Sequence, residues 1–316
     1  VENTTNQKQV NQSLSLKISN LGVVLIFLIS YNSPIKLLRR GSMKKITKDE
    51  YLQSIYKVIY YIEKNYNDDL TLEELSKVAG FSKYHFHRIF GSIVGENLSD
   101  YVRRVRLSSS TMKLKTNLNI TQIAQISGYE TSASFSKAFK NHFGITPKEF
   151  SRNAKNKKGN KMLEPKIVEI EPIEVIYVRK TGAYMNSTDE AWKIMVAFVI
   201  ENELFEKAVA RYGISHDNPT VIEEHNSRYD ACLELNESVN PNGEISLKHI
   251  AGGKYALFLH KGSCSLIGET FRNIGDWIVK SGVSLRDEPS FQKYLDLDPT
   301  EIKEEDLQTE LYVPIV

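Results

Sequence analysis

Leu72-Glu-Glu-Leu75-Ser-Lys-Val78-Ala79-Gly80-Phe81 and Ile120-Thr-Gln-Ile123-Ala124-Gln-Ile126-Ser127-Gly128-Tyr129 are one pattern written twice, 48 residues apart. One inserted residue then moves the offset to 49. After it Phe86 matches Phe135, Arg88 matches Lys137, Phe90 matches Phe139 and Gly95 matches Gly144. The correspondence runs on through Leu98, Asp100 and Tyr101 against Pro147, Glu149 and Phe150. In each copy apolar residues recur at i, i+3 and i+6, one face of a short helix. Thr71 with Glu74 makes a capping-box pattern before the first. Gly80 and Gly128 supply the positive-φ residue that ends a helix, and Phe81 fills the angle behind Gly80. Ser82 can cap the helix that follows. Its inner face holds Phe86, Ile89, Phe90 and Ile93; the second copy has Phe135, Ala138, Phe139 and Phe143. Each copy reads as helix, tight turn, helix.

The faces left outside are polar. The first copy presents Tyr84, His87 and Arg88; the second presents Ser132, Ala133, Ser136, Lys137 and Lys140. A turn-joined helix pair is a scaffold that places its second helix in the DNA major groove. Two such pairs on one chain can read groove faces about one helical turn (~34 Å) apart, spaced by a long helix over 98–115. Charge agrees. Residues 43–161 hold 21 Lys+Arg against 11 Asp+Glu, whereas 162–316 hold 15 against 27. A basic half that meets phosphates, followed by an acidic half that does not, is the expected asymmetry.

Residues 48–153 resemble the AraC/XylS DNA-binding domain along their whole length. The run from Ile120 to Arg152, ITQIAQISGYETSASFSKAFKNHFGITPKEFSR, carries the most specific part. The pair Arg106-Leu107 also matches, while Ser110 stands where the family more often has Ala. The resemblance implies base contacts from Tyr84, His87 and Arg88, and from Ser132, Ala133, Ser136 and Lys137. Arg88 can donate two hydrogen bonds to a guanine edge. Tyr84 suits a thymine methyl, and His87 a base or a phosphate. The second helix offers small groups, so apolar contact, water and shape carry more of its reading. Arg103, Arg104 and Lys140 are expected to hold phosphates.

Beyond a basic linker (155–163), short strand-like runs alternate with single helices. Ile173–Arg179 alternates as a strand and 188–205 as a helix, with Tyr229–Leu235 a further strand. Lys254–His260 (strand), Ile267–Lys280 (helix) and Gln308–Ile315 (strand) repeat the theme. The reading is an α+β domain with internal duplication and a pseudo-two-fold sheet. LFLHKG, DWIVKSGVSLRDEPSFQKYL and TELYVPI resemble the GyrI-like small-molecule-binding domain over 164–316. That resemblance implies an aromatic cleft between the copies, with Tyr184, Trp192, Tyr255, Phe258, Trp277, Phe291, Tyr294 and Tyr312 as candidate lining. It also implies a departure. Gln292 stands where sensors of cationic drugs commonly carry Glu, which points to a neutral or weakly polar effector hydrogen-bonded to the amide. Glu190, Glu234 and Glu310 are the carboxylates able to restore a charge from another wall.

The expected architecture is therefore multidomain: a leader (1–42), an all-α tandem helix-turn-helix domain (43–154), the linker and the α+β GyrI-like domain. The expected function is sequence-specific DNA binding and transcriptional regulation. Its partners are double-stranded DNA, bound as a monomer, a small amphipathic or aromatic effector, and RNA polymerase. The alternatives are a small-molecule hydrolase or a ligand-sequestering protein with a DNA-binding appendage. No nucleophile elbow, triad spacing or metal-ligand spacing accompanies the carboxylates, so neither enzyme activity, metal nor cofactor is expected. Cys232 and Cys264 form no metal or disulfide framework, which suits a reducing cytoplasm. The apolar run Leu21–Ile29 is about half the ~20 residues needed to span a bilayer, so no membrane partner is expected. Met43 opens the domain pattern, and Arg39-Arg40 is encodable as AGG-AGG, a ribosome-binding sequence. Residues 1–42 are accordingly expected to be translated leader or disordered, with the start at Met43.

Overall fold

The computed structural model describes residues 42–156, 163–217, 224–263, 266–296 and 302–316. Residues 1–41 of the leader, most of the linker, Pro219 and Cys264 lie outside the described residues.

The N-terminal half is helical: α1 (Ser42–Asn65), α2 (Leu72–Ala79), α3 (Lys83–Val94), α4 (Leu98–Lys113), α5 (Ile120–Ile126), α6 (Ser132–Phe143) and α7 (Pro147–Asn156). Gly80 closes α2 at φ 72°, and Thr71 accepts from the Glu74 amide at 3.2 Å. The reciprocal half of that capping box is not made, because Tyr61 donates to the Glu74 carboxylate instead. A complete box sits where none was expected: Asn119 and Gln122 bond each other's backbone N–H at 2.9 and 3.0 Å.

The sequence repeat is a packing repeat. Phe86, Phe90 and Tyr101 meet edge to face at 5.6 and 5.5 Å between ring centroids; Phe135, Phe139 and Phe150 do so at 5.6 and 5.7 Å. Each buried Phe contributes about 1.5–3 kcal/mol. The two triplets anchor separate cores, and α4 serves both. Tyr101 and Val105 enter the first core, Leu107 the second. Ser110, also buried, satisfies its hydroxyl on the Leu107 carbonyl at 2.6 Å.

Among the described residues, the C-terminal half is one eight-stranded antiparallel sheet with two α-helices, and it is duplicated. Strands β1 (Lys166–Ile170), β2 (Ile173–Thr181), β3 (Ala208–Ser215), β4 (Arg228–Leu235), β5 (Ser246–Ile250), β6 (Gly253–Lys261), β7 (Phe291–Tyr294) and β8 (Gln308–Pro314) lie in the order β1-β6-β8-β7-β3-β4-β2-β5. Halves β7-β8-β6 and β3-β4-β2 mirror each other about the β7–β3 seam. The outermost strand of each half comes from beside the other half's long strand, since β1 pairs with β6 and β5 with β2. Helices α8 (Tyr184–Glu201) and α9 (Ile267–Ser281) pack on the same face, α8 over Ile176, Val178 and Ala231, α9 over Ala256, Phe258 and Leu311. The helix expected over 188–205 starts earlier and ends at Glu201, because Glu203 takes a positive φ of 54° and Phe205–Lys207 tightens into a 3-10 turn.

Candidate nucleic-acid interface and ligand cavity

Helix α3 starts on a Ser82 cap and buries Phe86 and Phe90, which turns Tyr84, His87 and Arg88 to solvent; Tyr84 is 80% exposed. Helix α6 starts on Thr131, whose hydroxyl accepts from the Ser134 amide at 3.1 Å. It buries Phe135 and Phe139, leaves Ala133, Lys137 and Lys140 exposed, and holds Ser132 and Ser136 half-buried. Arg103 is exposed and ion-paired with Asp100 at 2.8 Å. Arg104 corrects the reading. It is buried, donates from Nε to Glu96 at 3.1 Å, and its guanidinium approaches Asp217 at 3.8 Å. One helical position separates it from Arg103, about 100° of rotation, and that turns it from the DNA side into the protein.

Between α8 and α9, over the β3–β7 seam, lies a cavity of about 1080 Å³, just above the 300–1,000 Å³ usual for ligand pockets. Tyr184, Trp192, Gln292 and Tyr294 line it. A chain of neutral hydrogen bonds runs along its wall. Trp192 Nε1 donates to Tyr229 at 3.1 Å, and the Tyr229 and Tyr294 hydroxyls share a bond at 2.9 Å. Tyr294 donates to Gln292 at 3.2 Å, and the Gln292 amide donates to Ser215 at 3.3 Å. Gly213 sits opposite Gln292 in the β3–β7 register, and an added Cβ there would stand 2.5 Å from the Tyr294 hydroxyl and 2.7 Å from that of Tyr229.

The other five candidates are core. Phe291 and Tyr312 stack at 4.5 Å with Tyr255 on the sheet face away from α8 and α9. Phe291 and Gln292, both expected in one cleft, part company because neighbours on a strand point to opposite faces. Phe258 and Trp277 pack edge to face at 5.2 Å between β6 and α9. The three carboxylates proposed as replacements are also elsewhere. Glu190 pairs with Lys180, Glu234 accepts from Tyr212 and Glu310 from Tyr312. Acidic and basic side chains border the cavity in near-equal number, eight and seven.

Sequence reasoning missed a buried ion network where the halves meet. Arg179 of β2 and Asp230 of β4 are register partners, joined by two bonds of 2.6 and 2.7 Å. Glu63 of α1 reaches across and accepts from Arg179, with Arg228 3.4 Å away. Asp217 accepts three times from Arg228, twice from the guanidinium at 2.9 and 2.7 Å and once from the backbone N–H at 2.8 Å, and once from Ser108 of α4 at 2.7 Å. Burial opposes charge on Glu63, yet Arg179, His216 and Arg228 together hold its carboxyl at about 2. Asp217 and Asp230 are depressed below the usual range by Arg228 and Arg179 against the same burial. Burial pushes the pKa of His216 down, and its ring lies 2.8 Å from Asp230. The available signal was a charge inside each apolar strand, Arg179 in IEVIYVR and Asp230 in YDACLEL.

Residues 163–316 match the GyrI-like small molecule binding domain and residues 75–153 a helix-turn-helix domain. The HTH-type transcriptional activator AarP of Providencia stuartii is 32% identical over 114 residues, which are 36% of this chain and 84% of that one. The chain belongs to the AraC family of transcriptional regulators. A second member, the multiple antibiotic resistance protein MarA of Escherichia coli (strain K12), is 32% identical over 98 residues, 31% of this chain and 77% of that one. Each of the two AraC-family relatives matches about a third of this chain. Together the matches make this chain an AraC-type helix-turn-helix regulator with a GyrI-like small-molecule-binding domain. No helix among its described residues is long and apolar enough to cross a membrane.

Proposed function

We propose that the chain, as a monomer in the cytoplasm, reads an asymmetric DNA site about two helical turns long and couples that reading to a small amphipathic, aromatic effector. The observation that carries this is the pairing of two exposed recognition faces on one chain with one large cavity behind them. Tyr84, His87 and Arg88 read one groove face and Ser132, Ala133, Ser136 and Lys137 the next, while Arg103 and Lys140 hold phosphates. The effector sits over the β3–β7 seam against Tyr184, Trp192, Gln292 and Tyr294. Burial raises the pKa of the Tyr184 and Tyr229 hydroxyls, and two of the eight cavity carboxylates, Glu63 and Asp217, are tied to arginines. These groups support binding of a ligand rather than turnover. RNA polymerase is the partner through which a bound regulator changes transcription.

The test is selection of duplexes by the full-length chain from a random library, with stoichiometry measured on the enriched site. An asymmetric consensus bound by one chain is expected. A palindrome requiring two chains would overturn the monomer reading, and salt-dependent binding with no enriched sequence would overturn specific recognition.

A further inference from the structure

The cavity has a third wall, and it does not belong to the sensor. Helix α4, which joins the two reading units, contributes Val105, Ser108, Ser109 and Met112 to its lining. These fall at i, i+3, i+4 and i+7, a single stripe along the helix. Other residues of α4 serve the DNA-binding cores, Tyr101 the first and Leu107 the second, and Val105 borders both the cavity and the first core. A hydrogen bond fastens the stripe at its middle and an ion pair just beyond its C-terminal end. Ser108 donates to Asp217 at 2.7 Å, and Lys113 pairs with Asp287 at 2.5 Å.

Resting on the effector-site reading above, we infer that α4 is itself part of the effector site. A neutral amphiphile in the cavity touches the helix that sets the spacing of the two recognition units and holds them in the arrangement seen here. Neutrality follows from the walls. Ionisable groups of both signs border the cavity almost equally, and the polar groups at its floor form the uncharged chain from Trp192 to Ser215. The direction of coupling follows from exposure. With the cavity formed and α4 fastened, Tyr84, His87, Arg88, Lys137 and Lys140 remain open to solvent. A ligand that favours this arrangement therefore favours DNA binding, and DNA must favour the ligand by the same factor.

The experiment uses the full-length chain, a long-chain alcohol bearing a photoreactive diazirine, and the matched primary amine as a cationic control. Saturable labelling by the alcohol is expected on a peptide containing Val105–Met112 as well as on peptides of α8 or α9, with weaker labelling by the amine. Saturable labelling confined to α8 and α9 would leave the effector cavity standing and overturn the role of α4. No saturable labelling of any of the three helices would overturn the effector reading beneath it. A second readout is the affinity of the alcohol with and without the selected duplex. At least about fivefold tightening is expected, the lower end of ordinary allosteric coupling, mirrored in the DNA affinity. A change smaller than twofold in both would overturn the coupling even if α4 is labelled. Met112→Trp, which fills the α4 wall, is expected to weaken the alcohol at least tenfold. Unchanged affinity in a chain with wild-type circular dichroism would count against the wall.

Discussion

Replacing Glu63 by Gln removes one charge from the junction of the two halves and keeps the side chain's shape. The amide stands in for the protonated carboxyl, so the cost is readable from the titration. A carboxyl that ordinarily titrates at 4.5 and is held at about 2 prefers its ionised, folded state by about 3 kcal/mol, at about 1.4 kcal/mol per tenfold. The Glu63 side chain keeps 15% exposure, and solvent at that edge screens the pair, so about 3 kcal/mol is a ceiling. Arg179 and Arg228 each retain another carboxylate in the variant, so the loss stays at or below the 3–5 kcal/mol typical of breaking a buried pair. At about 2–4 °C for each kcal/mol, the fall at pH 7 is at most roughly 6–12 °C. Glu63 has a depressed folded pKa, so its contribution is present above 4.5 and lost as pH falls toward 2. Thermal melts followed by tryptophan fluorescence should therefore show a gap between wild type and Glu63→Gln that narrows through that window. Equal melting at pH 7, or a gap indifferent to pH between 4.5 and 2, would refute the claim that Glu63 is an ionised keystone.

Arg88→Ala is expected to relax preference at one base pair by about 1–3 kcal/mol, whereas Lys140→Ala should weaken all sequences alike and reduce the salt slope by about one. Duplex panels at two salt concentrations separate the two. Arg104→Ala should lower the melting temperature and leave the salt slope unaltered, because its guanidinium serves Glu96 and Asp217. A slope reduced by one would restore it to the phosphate set. Gln292→Glu should shift ligand preference toward cations in a matched binding screen of neutral and cationic aromatics; a preference for cations already present in the wild type would show that charge is read at another wall. Gly213→Ala should weaken neutral aromatic ligands at least tenfold, since its Cβ displaces the Tyr229 and Tyr294 hydroxyls. Isothermal titration with unchanged affinity would mean the hydrogen-bonded chain does not touch ligand.

The helical half was legible because its information is local. Helix ends announce themselves in Thr71, Gly80 and Gly128, and each recognition face follows once Phe86 and Phe90, or Phe135 and Phe139, are turned inward. The full capping box of Asn119 and Gln122 was equally local and was overlooked. Arg104 was misplaced because an arginine on a basic helix looks the same whether it faces phosphate or a carboxylate from a distant strand. The sensor was harder for the same reason. Its duplication shows in the sequence, but strands β1, β3, β5 and β7 were passed over, and without them the two faces of the sheet cannot be sorted. Once β7 is placed, the alternation of Phe291, Gln292 and Tyr294 divides the aromatic candidates at once into ligand wall and core. The junction depends on contacts such as Glu63 with Arg179, 116 residues apart, and no local pattern reports those.

The exchanged outer strands impose an order of events on the newborn chain. β1 is the first strand of the sheet to leave the ribosome, and its partner β6 begins 87 residues later. At about 5–20 residues per second, roughly 4–17 s pass before the two can meet. Throughout that interval the apolar residues Ile167, Val168 and Ile170 are carried on an unpaired ribbon, while the helical half behind them already has every local contact it needs. The sheet therefore closes late: β4 can pair with β2 and β3 before β6 exists, and β8, which joins β6 to β7, is made last. A chaperone that shelters emerging hydrophobic ribbons has its opportunity at β1, at the foot of the tether to the DNA reader.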